Sequence, residues 1–86
     1  MKIEKKIWPE FFQRILSGGK TFELRLADFS CHKGDTLLLR EWNPKTEQYT
    51  GRCLEKEVTS VIKTKEVTFW PMEEVQKFGF QIISFK

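Results

Sequence analysis

Only one segment of this chain carries both ends of a helix, and almost everything after it alternates with period two. Pro9 suits a first helical turn, where its missing N–H has no partner to lose, and Glu10 complements the positive end of the helix dipole. Phe11, Phe12, Ile15 and Leu16 recur at helical spacing. Gly18 and Gly19 end the element, because glycine accepts the left-handed geometry of a C-terminal cap. Residues 3–8 ahead of it read as a short opening strand. Behind it, Phe22, Leu24 and Leu26 point one way and Thr21, Glu23 and Arg25 the other, the pattern of a half-buried strand.

The alternation continues. Lys33, Gly34 and Asp35 form a tight turn into an apolar strand over residues 36–42, and residues 43–47 form a hairpin loop. A long strand runs from about Gln48 to Ile62, with Gly51 a candidate bulge. Residues 66–79 fit either one or two helical turns near Pro71 or a loop, and residues 80–85 close the chain as a last strand. Strand, helix and then four or so strands without crossover helices favour antiparallel pairing. A small domain escapes exposed edges by curling. The expectation is one domain over residues 1–86, mainly β with one or two short helices: a small, mostly antiparallel β-barrel with the N-terminal helix packed against it.

Composition sets the function classes aside or leaves them open. With 86 residues, 40% hydrophobic and 31% charged, the chain is too apolar for disorder. Fifteen Lys plus Arg face twelve Asp plus Glu, spread evenly, so the net charge of +3 tilts toward an anionic partner without forming a basic tract. No run reaches the roughly 18 apolar residues of a bilayer span, and the first residues lack the apolar core of a signal peptide. Cys31 and Cys53 make no CxxC pair, and with His32 alone they assemble no zinc site. The expectation is a cytoplasmic protein with reduced thiols, no metal, no cofactor and no membrane contact, and with room for a protein partner. The aromatic fraction is 14%, from eight Phe, three Trp and one Tyr, more rings than so small a core readily hides.

The segment richest in chemistry is Gly18-Gly19-Lys20-Thr21-Phe22-Glu23-Leu24-Arg25. A cation, an anion and a second cation follow one another just past a helix end. They can bind an anion through Lys20 and Arg25 while Glu23 orients Arg25, or they can supply a Lys20–Glu23 pair for acid–base work. They can also form an ordinary solvated strand face, where a Glu–Arg pair is worth little.

Gly18-x-Lys20-x-x-Glu23-x-Arg25 resembles the GxKxxExR signature of the ASCH (activating signal cointegrator homology) superfamily, whose fold is a PUA-like β-barrel. Residues 6–12, 15–18, 34–42 and 49–52 also look like a compact bacterial and phage branch of unknown function within it. The resemblance covers residues 5–62 and the last strand, and residues 63–78 fit it poorly. It implies a cleft between helix and barrel that binds RNA or a nucleotide. Lys20 and Arg25 face phosphate or a base edge, Glu23 holds Arg25 or accepts from a base amino group, and Gly18 and Gly19 let the backbone approach the ligand. Trp8, Trp42 and Tyr49, near strand ends and loops, are the rings expected to stack on a base. Phe11, Phe12, Phe22, Phe80 and Phe85 are expected in the core, with Phe29, Phe69, Trp70 and Phe78 unassigned.

Some relatives in that superfamily are enzymes. One branch looks like an amidohydrolase acting on N4-acetylcytidine, with a Lys at the Lys20 position activating a Thr where this chain has Glu23. A carboxylate cannot replace a hydroxyl nucleophile, and Thr21 lies two residues early. Glu73 and Glu74 fall in the poorly matching stretch, and His32 is a weak general base in a loop. A ribonuclease using Lys20 and Glu23, and a non-enzymatic protein-interaction module, are the other readings.

Overall fold

The computed structural model describes residues 1–66, 68–83 and 85. Strand β1 spans Lys2–Ile7, helix α1 Pro9–Leu16, strand β2 Thr36–Asn43, strand β3 Gln48–Glu57, and helix α2 Met72–Phe78, with a 3-10 turn at Thr64–Glu66. The mainly β class with two short helices is what the chain adopts. Among the described residues the sheet is open and three-stranded, in the order β1-β2-β3, and does not close into a barrel.

The first pairing departs from the antiparallel expectation: β1 runs parallel to β2, with Ile3 beside Leu37 and Ile7 beside Glu41. The reason lies in α1. A parallel neighbour needs a crossover connection, and the helix is that crossover. β2 and β3 form the expected hairpin, antiparallel, with Leu39 opposite Leu54 and Trp42 opposite Tyr49. The register slips between Arg40 and Trp42, opposite the segment holding Gly51, whose φ of 96° marks the expected bulge. In the hairpin loop, the Asn43 side chain accepts from the Lys45 N–H at 2.9 Å and its carbonyl accepts from the Glu47 N–H at 2.8 Å.

One face of the sheet takes the helix. Phe12 and Ile15 of α1 bury against Ile7 and Leu39, with Leu37 and Leu54 packed alongside. The Trp8 carbonyl starts the helix by accepting from the Phe11 and Phe12 N–H groups. Gly18, at φ 84°, turns the chain out of it in the left-handed region.

Two expected strands do not form. Residues 21–26 pair with no strand; Leu24 and Leu26 are 69% and 80% exposed, and only Phe22 of that alternating face is half-buried. Arg25 bonds through its side chain to the Lys6 carbonyl, so a side-chain tether stands where a ladder was expected. Of residues 80–85, the described ones lie outside any strand, and Phe80 and Phe85 are exposed rather than core. Ser84 and Lys86, which belonged to that expected strand, lie outside the described residues.

Candidate nucleotide site

The end of α1 places the motif. Because Gly18 reverses the chain, the Lys20 N–H reaches back to the Arg14 carbonyl at 3.0 Å, which pins Lys20 against the negative end of the helix. From there the Lys20 ammonium donates to Glu23 Oε1 at 2.7 Å, and Arg25 Nε donates to Glu23 Oε2 at 2.9 Å. Arg25 also donates to the Lys6 carbonyl on the free edge of β1. The side chains of Lys20 and Glu23 are each 13% exposed. This is no solvated strand face. Each oxygen of one carboxylate holds one cation, and the ammonium and guanidinium keep further N–H groups to donate.

These residues wall a cavity of about 480 Å3. Its floor is the sheet face beside the helix, with Ile15, Leu37 and Leu39; Gly18, Lys20, Glu23 and Arg25 form one side, and residues 56–63 the other. Lys5, Lys20, Arg25, Lys56 and Lys63 line it against Glu23 and Glu57, so its charge is positive. Phe22 and Phe29 supply the rings. An apolar floor with a cationic rim and a volume in the range of small-molecule sites suits a flat ring system carrying an anionic group.

The other expected site residues lie elsewhere. Gly19 adjoins the site without lining the cavity. Trp8 is half-exposed at the start of α1 and lines none of the cavity. Trp42 and Tyr49 form an edge-to-face pair at 5.0 Å, with the Lys6 ammonium 3.8 Å from the Trp42 ring centre and the Arg40 guanidinium 3.8 Å from that of Tyr49. Lys6 and Arg40 sit opposite each other in the phase that points away from α1, so this pair occupies the far face of the sheet. His32 is exposed beside Asp35, and Glu73 and Glu74 sit in the first turn of α2; none lines the cavity. Among the described residues no group of three or more His, Cys, Asp or Glu could hold a metal ion. No helix of the described residues is long and apolar enough to cross a membrane.

Lys5 and Phe29 were missed at the level of sequence. Lys5 had a readable signal, since it lies between Ile3 and Ile7 in the apolar phase of β1. Glu41 shows the same signal on β2, in phase with Leu37 and Leu39, and it is 3% exposed. It accepts from Arg52 through both oxygens at 3.0 and 2.8 Å and from the Thr50 hydroxyl at 2.5 Å. The Arg52 guanidinium beside it holds the carboxyl below the ordinary glutamate value against the opposing effect of burial. This cluster braces the sheet and helix, with Arg52 4.6 Å over the Phe12 ring, and it does not line the cavity.

Residues 3–74 match the profile of the family described as a domain of unknown function (DUF3850). The chain belongs to that family. It is also similar to an "Uncharacterized 12.9 kDa protein in GpA 3'region" of Escherichia phage P2, at 38% identity over 58 residues, or 67% of this chain. The match spans about half of that relative, 51% of its length. No solved structure matches the chain.

Proposed function

We propose that this member of the DUF3850 family is an RNA- or nucleotide-binding module whose ligand lies in the cavity walled by Gly18, Lys20, Glu23 and Arg25. One observation supports it above the rest: Glu23 ties Lys20 and Arg25 together on a cavity wall, at 2.7 and 2.9 Å, beside Phe22 and Phe29. A base stacks on a ring while paired cations meet its phosphate, and the carboxylate keeps those cations oriented before the ligand arrives. The kinship with the ASCH superfamily and its PUA-like fold belongs to the same proposal, resting on the motif residues. An intracellular setting goes with it, since Cys31 and Cys53 are both free thiols.

The test is binding of labelled single-stranded RNA and of nucleoside monophosphates at several salt concentrations. Lys20→Ala and Arg25→Ala are each expected to weaken binding by roughly tenfold, the value of one charge-assisted hydrogen bond. Each lost phosphate contact flattens the salt slope by about 0.7. Unchanged binding in both variants sinks the proposal.

A second reading rests on the same pair. The Lys20 ammonium and Glu23 carboxylate, in hydrogen-bond contact with Thr21 lining the same cavity, could move a proton in hydrolysis of a modified nucleoside or RNA. Turnover on acylated cytidines or RNA that disappears in Lys20→Ala supports it. No turnover across a nucleoside panel removes it.

A further inference from the structure

The motif cavity does not end at Arg25. Beyond Lys5, Arg25, Leu26 and Phe29 lies a second, shallower hollow of about 310 Å3, whose other walls are Leu24 and Asp28. Those four residues line both spaces, so the two hollows adjoin across a waist. The waist is cationic. The Lys5 ammonium rests 3.7 Å from the Phe29 ring centre and forms no ion pair among the described residues. Arg25 commits Nε to Glu23 and one amine to the Lys6 carbonyl, which fixes the guanidinium plane and leaves donors over.

Resting on the reading of the cavity as a nucleotide site, we propose that the two hollows take two consecutive nucleotides of a single strand, with the phosphodiester between them at Lys5 and Arg25. The main cavity receives one base on its apolar floor, and the outer hollow receives its neighbour. Phe29 belongs to both walls and offers ring surface at the crossing point, where stacking is tolerant of sequence. Asp28 is the acid of the outer hollow and supplies an acceptor for a base amino group or a ribose hydroxyl. A phosphate at the waist meets two cations; a mononucleotide in the main cavity leaves the outer hollow empty.

Ligand length is therefore the test. Binding of uridine 5′-monophosphate, UpU and UpUpU, and of the matching adenine series, is measured by titration at several salt concentrations. The dinucleotides are expected to bind about tenfold tighter than the monophosphates, as one added stacked base allows. Their salt slope is expected to be steeper by about 0.7 for the added phosphate contact, and the trinucleotides to gain nothing more. Leu24→Asp puts a negative charge in the outer hollow at a position already 69% exposed, so folding is spared. It is expected to abolish the dinucleotide gain while leaving monophosphate binding as it is. Monophosphates that bind as tightly as dinucleotides, a third nucleotide that adds as much as the second, or a gain that survives Leu24→Asp overturns the two-nucleotide channel and leaves the nucleotide reading intact. If none of these probes binds, the nucleotide reading fails, and the channel fails with it.

Discussion

Glu41→Gln tests how this small sheet is held to its helix. The carboxylate is 3% exposed and accepts three hydrogen bonds, two from Arg52 and one from Thr50. An amide keeps one acceptor oxygen but turns an N–H toward the guanidinium, so one charge-assisted bond is lost and another is weakened. Such bonds are worth roughly 1.5–3 kcal/mol each, but the Arg52 side chain is 49% exposed and recovers water, which lowers the expected cost to about 2 kcal/mol. For a domain of this size that is a fall in Tm of about 8–16 °C. The pH dependence separates this cause from packing. The folded pKa of Glu41 lies below its ordinary value of 4.5, so its contribution is fully present above pH 4.5 and is lost as pH falls through the folded value. Thermal melts followed by circular dichroism should therefore show a wide gap between the parent protein and Glu41→Gln at neutral pH that closes in acid. A melt unchanged by the substitution, or a gap that persists undiminished well below pH 4.5, refutes the reasoning.

Phe12→Ala removes a ring that is 2% exposed, and the cavity it leaves is expected to cost about 3–5 kcal/mol, seen as a large loss of urea midpoint. Gly18→Ala meets no atom within 4 Å, so its cost is conformational alone, about 1–2 kcal/mol from the positive φ, with a matching drop in Tm. Lys2→Ala breaks an exposed pair with Glu55 at 2.6 Å that raises the Lys2 pKa, and differential scanning fluorimetry should register almost no change.

The local signals in this sequence were of two strengths. Pro9, the helical spacing of Phe12 and Ile15, and Gly18 define α1 through interactions a few residues apart, and α1 spans Pro9–Leu16. The β2–β3 hairpin and its bulge at Gly51 were legible for the same reason, since turn chemistry and alternation are local. The segment at residues 21–26 alternates as cleanly as β2 yet joins no sheet, because alternation states which side chains share a face but not whether a partner edge is there to receive them. Its Arg25 takes the β1 edge by a side-chain bond instead.

The motif was legible as a set of residue types, and its division of labour was not. Spacing put Lys20, Glu23 and Arg25 close together, but whether they face water or a cavity depended on where α1 lies over the sheet. The surplus of rings shows the same limit. Trp42 and Tyr49 carry the marks of stacking residues, and the parallel β1–β2 pairing turns them to the face away from the motif, against Lys6 and Arg40. The rings that share the cavity with the motif are Phe22 and Phe29. The sequence by itself determined the helix, the hairpin, the charge triad and the class of fold, all of which depend on neighbours along the chain. Tertiary structure alone decided which strands pair, which rings meet the motif and that Lys5 joins it, because those outcomes depend on the crossover through α1, a contact between residues more than thirty positions apart.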